Sequence, residues 1–391
     1  MTSIAVIGMG AVSAAGMGVD HSVDAVLNGE DCLSPLTLFD SGLKETPLCG
    51  QIITKLNYGK GESRPNRTAA IAMHAVNEAL LPVKNRGALR LGLVLATTVA
   101  GMTDSEIFYK ELRNNPDAVK KAKTCLSYHE PTAITGKIAS NINAQGFLTI
   151  STACSTSLHA LGMAKRLVEE NSFDLCLAVG VDALSMLTVR GFASLMLIDY
   201  SGCKPFDKNR KGISIGEGSG ALLLASDKTV KYLEVKPLAL ISGWGASADC
   251  YHMTAPNPEG GGAIRATRAA LKEAHCEPEE ISMIAAHGTA TQDNDRAEIA
   301  AMRSIFKRLP PFYSLKRTLG HTLAASGTLE SVFSICALNK NIVPKTAGFT
   351  CIDEVINAKP SGTYRCEAKH ILKNSFGFGG NNAAVIISKS D

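Results

Sequence analysis

No stretch of this sequence approaches the roughly 18 consecutive apolar residues that a membrane-spanning helix needs, so no transmembrane segment is expected. The opening residues, MTSIAVIGMGAVSAAGMGVD, carry no basic leader, and the run SIAVIG reads as a buried first strand. A cytoplasmic location is expected. The 11 cysteines agree with it: their number is odd, none forms a CxxC pair, and they are scattered from Cys32 to Cys366 as reduced core residues would be. Zinc-ligand spacing is missing too, so no metal site is expected. A strong charge of either sign is also lacking. The net charge of +4 is too small to argue for nucleic acid, though it suits an acidic protein partner. Finally, GMGAVSAAG after the first strand lacks what a dinucleotide loop needs: Ser13 stands at the third glycine position, and no strand ending in an acid follows about 20 residues later.

What is present is alternation. Apolar runs rich in Val, Ile, Leu and Ala recur at IAVIG, LGLVLAT, FLTIST, LCLAVGVD and ALLLAS, separated by helical stretches such as Thr68 to Leu81 and Cys154 to Glu170. That pattern predicts an α/β protein with buried sheets. A second series follows in KPLALISGWGAS, SMIAAHGT, RCEAKHILKNSF and NAAVIISK. The division predicts two halves of similar design, residues 1–234 and 235–391. Each has a helix of small residues after a loop bearing reactive side chains, from Cys154 in the first and over Thr322 to Leu338 in the second. Two such helices can pack closely at the centre.

The first loop, STACSTSLHALGMAKRL, sets Cys154 at the start of its helix. A thiol is nucleophilic as thiolate, and a helix N-terminus favours that anion, so the position predicts a lowered thiol pKa. The second half adds three reactive segments. His287 ends an apolar run in AAHGTATQDND, Lys316 and His321 stand in SLKRTLGHTLAASG, and NSFGFGGNNAAV forms a glycine-rich turn that brings backbone N–H groups close to a bound group. A cysteine can take up an acyl group as a thioester, while two histidines stabilise an enolate left when a malonyl-type substrate loses carbon dioxide.

These segments resemble the β-ketoacyl-ACP synthases, the condensing enzymes of the thiolase superfamily. The marks are TACST at Cys154, KPFDKNRKGISIGEGSG from Lys204, YHMTAPNPEGGG from Tyr251, AHGTATQDND, KRTLGH and NSFGFGGNN, in this order over nearly the whole chain. The resemblance implies a thiolase fold, five αβαβα layers built from two duplicated halves. It implies that Cys154 accepts the acyl group, with its own N–H and that of Phe376 as oxyanion hole and Phe376 as a gate. His287 and His321 would promote decarboxylation, so acid should weaken catalysis by changing their protonation. Lys316 would order the histidines, with Glu330 in support. Thr289 and Thr291 would bind the phosphopantetheine arm, which the acyl carrier protein (ACP) brings, so that no cofactor resides on this chain. Acyl-ACP and malonyl-ACP are the implied partners, with docking at Arg64, Arg67, Lys204 and Arg210. A dimer is implied, either of two copies or with a chain-length factor, through the strand around Leu148 to Ser151.

The chain also departs from the family pattern. Asn381 replaces threonine in the usual GFGGTN, the RDGF segment reads Arg210, Lys211, Gly212, Ile213, and Ala100 stands where many fatty-acid enzymes carry a larger pocket residue. These departures resemble ketosynthases of aryl polyene clusters, a type II polyketide system; fatty-acid elongation is the alternative. A CoA-dependent thiolase would need a second cysteine in the last glycine-rich loop, where Ser375 to Asn382 has none. A non-catalytic partner subunit would have lost the cysteine that this chain keeps.

Overall fold

The computed structural model describes residues 3–56, 66–83, 87–121 and 126–390. Ten strands form its main sheet path. In the first half they are β1 (Ile4–Ser13), β2 (Leu91–Ala96), β3 (Gly146–Ile150), β4 (Leu175–Asp182) and β5 (Gly218–Ala225). The second half supplies β6 (Ala239–Ala248), β7 (Ile281–Ala285), β8 (Phe312–Tyr313), β9 (His370–Gly377) and β10 (Asn381–Ser388). The lateral order is β1-β5-β4-β2-β3 in one half and β6-β10-β9-β7-β8 in the other. Numbered within each half, both read first, fifth, fourth, second, third. The pairing senses also repeat: β2 is parallel to β3 and β4, as β7 is to β8 and β9, while the fifth strand is antiparallel to its neighbours in both. The halves join where β1 and β6 pair antiparallel, Ile4 opposite Ile241.

Six helices complete the layers: α1 (Arg67–Ala79), α2 (Pro131–Asn141), α3 (Thr156–Glu169), α4 (Gly261–Ala274), α5 (Gln292–Ile305) and α6 (Ser326–Lys340). Strand alternation decides which side chains each layer receives. On β2, Val94 faces inward and packs with Leu158 and Leu161 of α3 and Val332 and Phe333 of α6. Its neighbours Leu93 and Leu95 face outward against Ile71 of α1 and Ile134 and Ile138 of α2. On β9, Ile371 joins the same central cluster, and Leu372 faces outward with Leu271 of α4 and Ile299 of α5. The result is helix, sheet, helix pair, sheet, helix, the five layers expected. Among the described residues no helix is long and apolar enough to cross a membrane.

The central helices meet at small residues. A Cβ placed on Gly327 of α6 would lie 2.7 Å from the backbone nitrogen of Leu158 and from Ser157 Oγ, and one on Gly180 of β4 would lie 2.5 Å from Thr328 Oγ1. Thr328 N–H donates to Ser157 Oγ across the same contact (3.0 Å). Side-chain bulk here would push apart the two helices on which the reactive residues depend. Gly327→Val should therefore lower unfolding stability by about 1–3 kcal/mol through overpacking, read as a lower urea midpoint at unchanged slope. A midpoint equal to that of the parent would show that the contact is looser than described.

Candidate active site

Each reactive residue sits where a strand of one half ends near the seam. β3 runs through Ser151 and Thr152 into Ala153, a non-glycine residue held at φ 53°, and the turn delivers Cys154 directly ahead of α3. Thr156 Oγ1 accepts from the N–H of Thr152 (2.9 Å) and donates to the carbonyl of Ala153, locking that turn. His287 follows β7, its own N–H and that of Gly288 both held by the Glu298 carboxylate of α5 (2.7 and 2.8 Å). His321 is fixed through its backbone, donating to Ser214 and accepting from Gly216 (2.7 and 2.9 Å), and its Nδ1 lies 3.1 Å from Ser326 Oγ.

The three residues converge. Cys154 Sγ and one nitrogen from each imidazole lie within 4.8 Å of one another, and the two rings stand edge to face with centroids 5.3 Å apart. All three residues are buried. Burial, followed by the Lys316 ammonium, holds both histidines well below the ordinary imidazole pKa, so they are neutral at neutral pH. For the thiol, the expectation of a lowered pKa is overturned. Burial pushes Cys154 up to about 11, outweighing Lys316 and the two backbone N–H groups that favour the thiolate. The resting pair is therefore a thiol beside neutral imidazoles, which can accept its proton as it attacks.

One of those backbone donors corrects a second expectation. The N–H groups directed at the sulfur belong to Cys154 and Phe378, not Phe376. Phe376 still lies in β9, paired with Asn382, and its ring packs edge-on against His287 at 5.8 Å. Phe378 sits in the turn beyond the ladder, where Gly379 and Gly380 take φ 78° and 77° and leave its N–H free to aim inward. Strand residues spend their N–H groups on neighbours and turn residues do not, which is the signal that separates the two phenylalanines.

A cavity of about 670 Å³, its open mouth included, leads to Cys154, His287 and His321. Thr289 and Thr291 line it, their hydroxyls 3.0 Å apart. Beneath the histidines, Lys316 Nζ meets Glu330 Oε1 at 2.5 Å, and Lys373 Nζ meets Oε2 at 2.8 Å. Sequence reading missed Lys373 and also Glu298. The first stands in an apolar strand whose alternation turns it inward; the second stands on α5, where nothing local marks it. Ala100 is buried with the outer cluster of Ile134 and Ile138 and does not line this cavity.

Of the docking residues expected, Arg64 lies outside the described residues. Arg67 is turned inward onto Glu217, and Arg210 is 3% exposed, bonded to Asp353 at 2.5 Å and 3.8 Å from Asp295. Both are structural ion pairs, because buried carboxylates of neighbouring segments claim them. Lys204 is partly open to solvent and, among the described docking residues, is the one with no ion pair to a buried carboxylate.

Five layers in two like halves, with a thiol between two histidines at their seam, define the thiolase fold of the ketosynthases. The chain belongs to the beta-ketoacyl synthase family: the N-terminal domain of that family matches residues 1–229 and its C-terminal domain residues 238–350. It is 28% identical over 411 aligned residues to 3-oxoacyl-[acyl-carrier-protein] synthase 2 of Staphylococcus aureus (strain N315), covering 99% of this chain and 98% of that protein. The synthase 2 of Vibrio harveyi is 27% identical, at 99% and 98% coverage. Among solved structures, the ishigamide ketosynthase/chain length factor superposes with a TM-score of 0.93 at 25% identity, covering 100% of this chain and 99% of that one. The ketosynthase ApeO of Xenorhabdus doucetiae, solved with its chain length factor ApeC, gives 0.85 at 27% identity, covering 99% and 98%. The chain is a β-ketoacyl-ACP synthase by this descent, a carbon–carbon bond-forming acyltransferase.

Two measurements check the electrostatic reading. Arg210→Ala leaves buried carboxylates unpaired and should cost about 3–5 kcal/mol of stability. The KM for a carrier-protein substrate should stay as it was; a raised KM at unchanged stability would restore Arg210 to a docking surface. For His321, the folded pKa lies below the unfolded value near 6.5, so between them the unfolded chain binds the extra proton and stability is lost as pH falls. His321→Gln removes that contribution. Its stability should fall less steeply than that of the parent below pH 6.5, by up to about 1.4 kcal/mol per pH unit. Equal slopes in urea titrations would show that His321 is not held neutral.

Proposed function

We propose that the protein condenses an acyl group carried on Cys154 with malonyl-ACP to give a β-ketoacyl-ACP, in a type II polyketide pathway of the aryl polyene kind. The observation that carries the chemistry is the convergence of one buried thiol and two neutral imidazoles at the end of a single cavity. In the first step the thiol attacks an acyl thioester, an imidazole takes its proton, and the N–H groups of Cys154 and Phe378 serve the oxyanion. The departing carrier thiol takes that proton back.

In the second step the malonyl thioester loses carbon dioxide. His287 and His321, each neutral and able to donate one N–H, hold the enolate oxygen. The enolate carbon then attacks the acyl-Cys154 carbonyl, a C–C bond forms, the carbonyl C–S bond breaks, and the departing thiolate takes a proton from solvent relayed by an imidazole. Thr289 and Thr291 on the cavity wall suit hydrogen bonds to the amide-bearing pantetheine arm, which belongs to the carrier protein and not to this chain. Lys316 and Glu330 anchor the histidine side of the site.

The finer reading rests on the departure at Asn381 and on the likeness to ApeO, which was solved with a chain length factor. A partner surface is available: β3 is the outermost strand of its half, and Phe147 and Leu148 on it are 48% and 44% exposed. We place the dimer contact there, with a chain-length factor as the partner.

Intact-mass measurement with a panel of saturated, unsaturated and aryl acyl-ACPs tests the reading. Loading of Cys154 by aryl or polyenoyl chains only with a genomic neighbour present is expected. Loading by saturated chains in the protein alone would make it a homodimeric fatty-acid elongation enzyme instead. His287→Ala should retain acyl loading while lowering condensation by roughly 10²–10³-fold; full condensation in that variant would remove His287 from the mechanism.

A further inference from the structure

The site holds a second buried ammonium that the chemistry above leaves without a task. Lys373 lies on β9 between two strands, opposite Ala285 of β7 and Val385 of β10. Ile371 two residues earlier faces the central layer, so alternation carries Lys373 to the same face, where its side chain is fully buried. Its Nζ reaches Glu330 Oε2 at 2.8 Å and the carbonyl of Asn374 at 2.5 Å. Glu330 Oε1 is taken by Lys316. Two ammonium groups thus share one carboxylate.

That arrangement does two things. A carboxylate gripped through both oxygens cannot rotate, so Lys316 is held in one place by Lys373 acting from the opposite side. Burial lowers the Lys373 pKa and Glu330 works against that shift; with both lysines protonated the cluster carries one positive charge in excess, and its field acts on both His287 and His321. The charged groups facing it are Lys316 from the turn before His321, Glu330 from α6 and Glu298 from α5. Glu298 is pushed up to about 7 by burial and already accepts from two backbone N–H groups, so at or below neutral pH it offsets that excess only in part.

We propose that Lys373 is a positioning residue that fixes Glu330 and Lys316 and supplies the positive potential which disfavours imidazolium at His287 and His321 and favours anions formed beside them. Its catalytic consequence rests on the condensation reading; its effect on the histidines does not. A buried positive charge opposes the gain of a second one nearby and stabilises an enolate in the same place. Lys373 touches no reacting atom and acts wholly through this field and this grip.

The test uses the full chain and three variants, Lys373→Met, Lys373→Ser and Lys373→Arg. Methionine and serine remove the charge while differing in volume, and arginine keeps it. Imidazole titrations followed by NMR of the histidine Cε1–H signals should show the pKa values of His287 and His321 raised by about 0.5–1 in both neutral variants. Arginine should return them toward the parent values. The acid limb of malonyl-ACP decarboxylation should move to higher pH by the same amount.

Unchanged imidazole pKa values in a folded neutral variant would overturn the proposal. So would effects that follow the volume difference between Met and Ser, or collapse of both neutral variants in a thermal melt, since each assigns Lys373 to packing. If the parent protein does not decarboxylate malonyl-ACP, the condensation reading falls, while the NMR titration still decides the role of Lys373.

Discussion

The close approach of α3 to α6 is the constraint on which the rest of the molecule depends. Cys154 stands at the head of one helix, and His321 and Glu330 are set by the other, so the separation of the helix axes fixes the distance from nucleophile to base. Gly327 against Leu158 and Gly180 against Thr328 leave no room for side chains at that contact. The glycines serve here by what they lack, since a single methyl group at 2.5–2.7 Å from a neighbour is beyond what packing tolerates. The hydrophobic layer around them, with Leu161, Val332 and Phe333, supplies the driving force that presses the helices together.

Duplication explains why the site lies where it does. Each half repeats one strand order and sends its loops from corresponding strands to the seam. The first half contributes the nucleophile after its third strand. The second contributes His321 after its own third strand, His287 after its second and the Phe378 turn after its fourth. One architecture used twice has been given different chemistry at equivalent places, and only the joined pair forms a site.

The sequence made much of this legible. Apolar runs located the long strands, because buried strands need continuous Val, Ile and Leu, and the repeated series foretold two like halves. The two-residue strand Phe312–Tyr313 was not legible, since so short a pairing leaves no periodic trace. In the site, Cys154, His287, His321 and Lys316 were found from residue type and neighbours, and the structure brings all four together. The failures share a cause. Arg67 and Arg210 look like surface charges until the partners Glu217 and Asp353, 150 and 143 residues away in sequence, are seen to hold them. Phe376 and Phe378 differ by two positions and are told apart only by where the ladder ends.

The thiol shows most plainly why local reasoning fell short. A helix N-terminus does favour a thiolate, and the N–H groups of Cys154 and Phe378 act in that sense. Yet loss of water around a buried sulfur is the larger effect, and no local pattern reports it. The same burial holds the histidines neutral. The two consequences fit one another: an imidazole that is neutral at rest can receive a proton from the thiol, and a thiol that keeps its proton until attack presents no buried anion to stabilise while the site is empty. A single physical cause, burial at the seam, therefore sets the resting protonation of nucleophile and bases together. The Lys316, Glu330 and Lys373 cluster brings two ammonium groups onto one carboxylate on the histidine side of this seam, where negative charge must next appear.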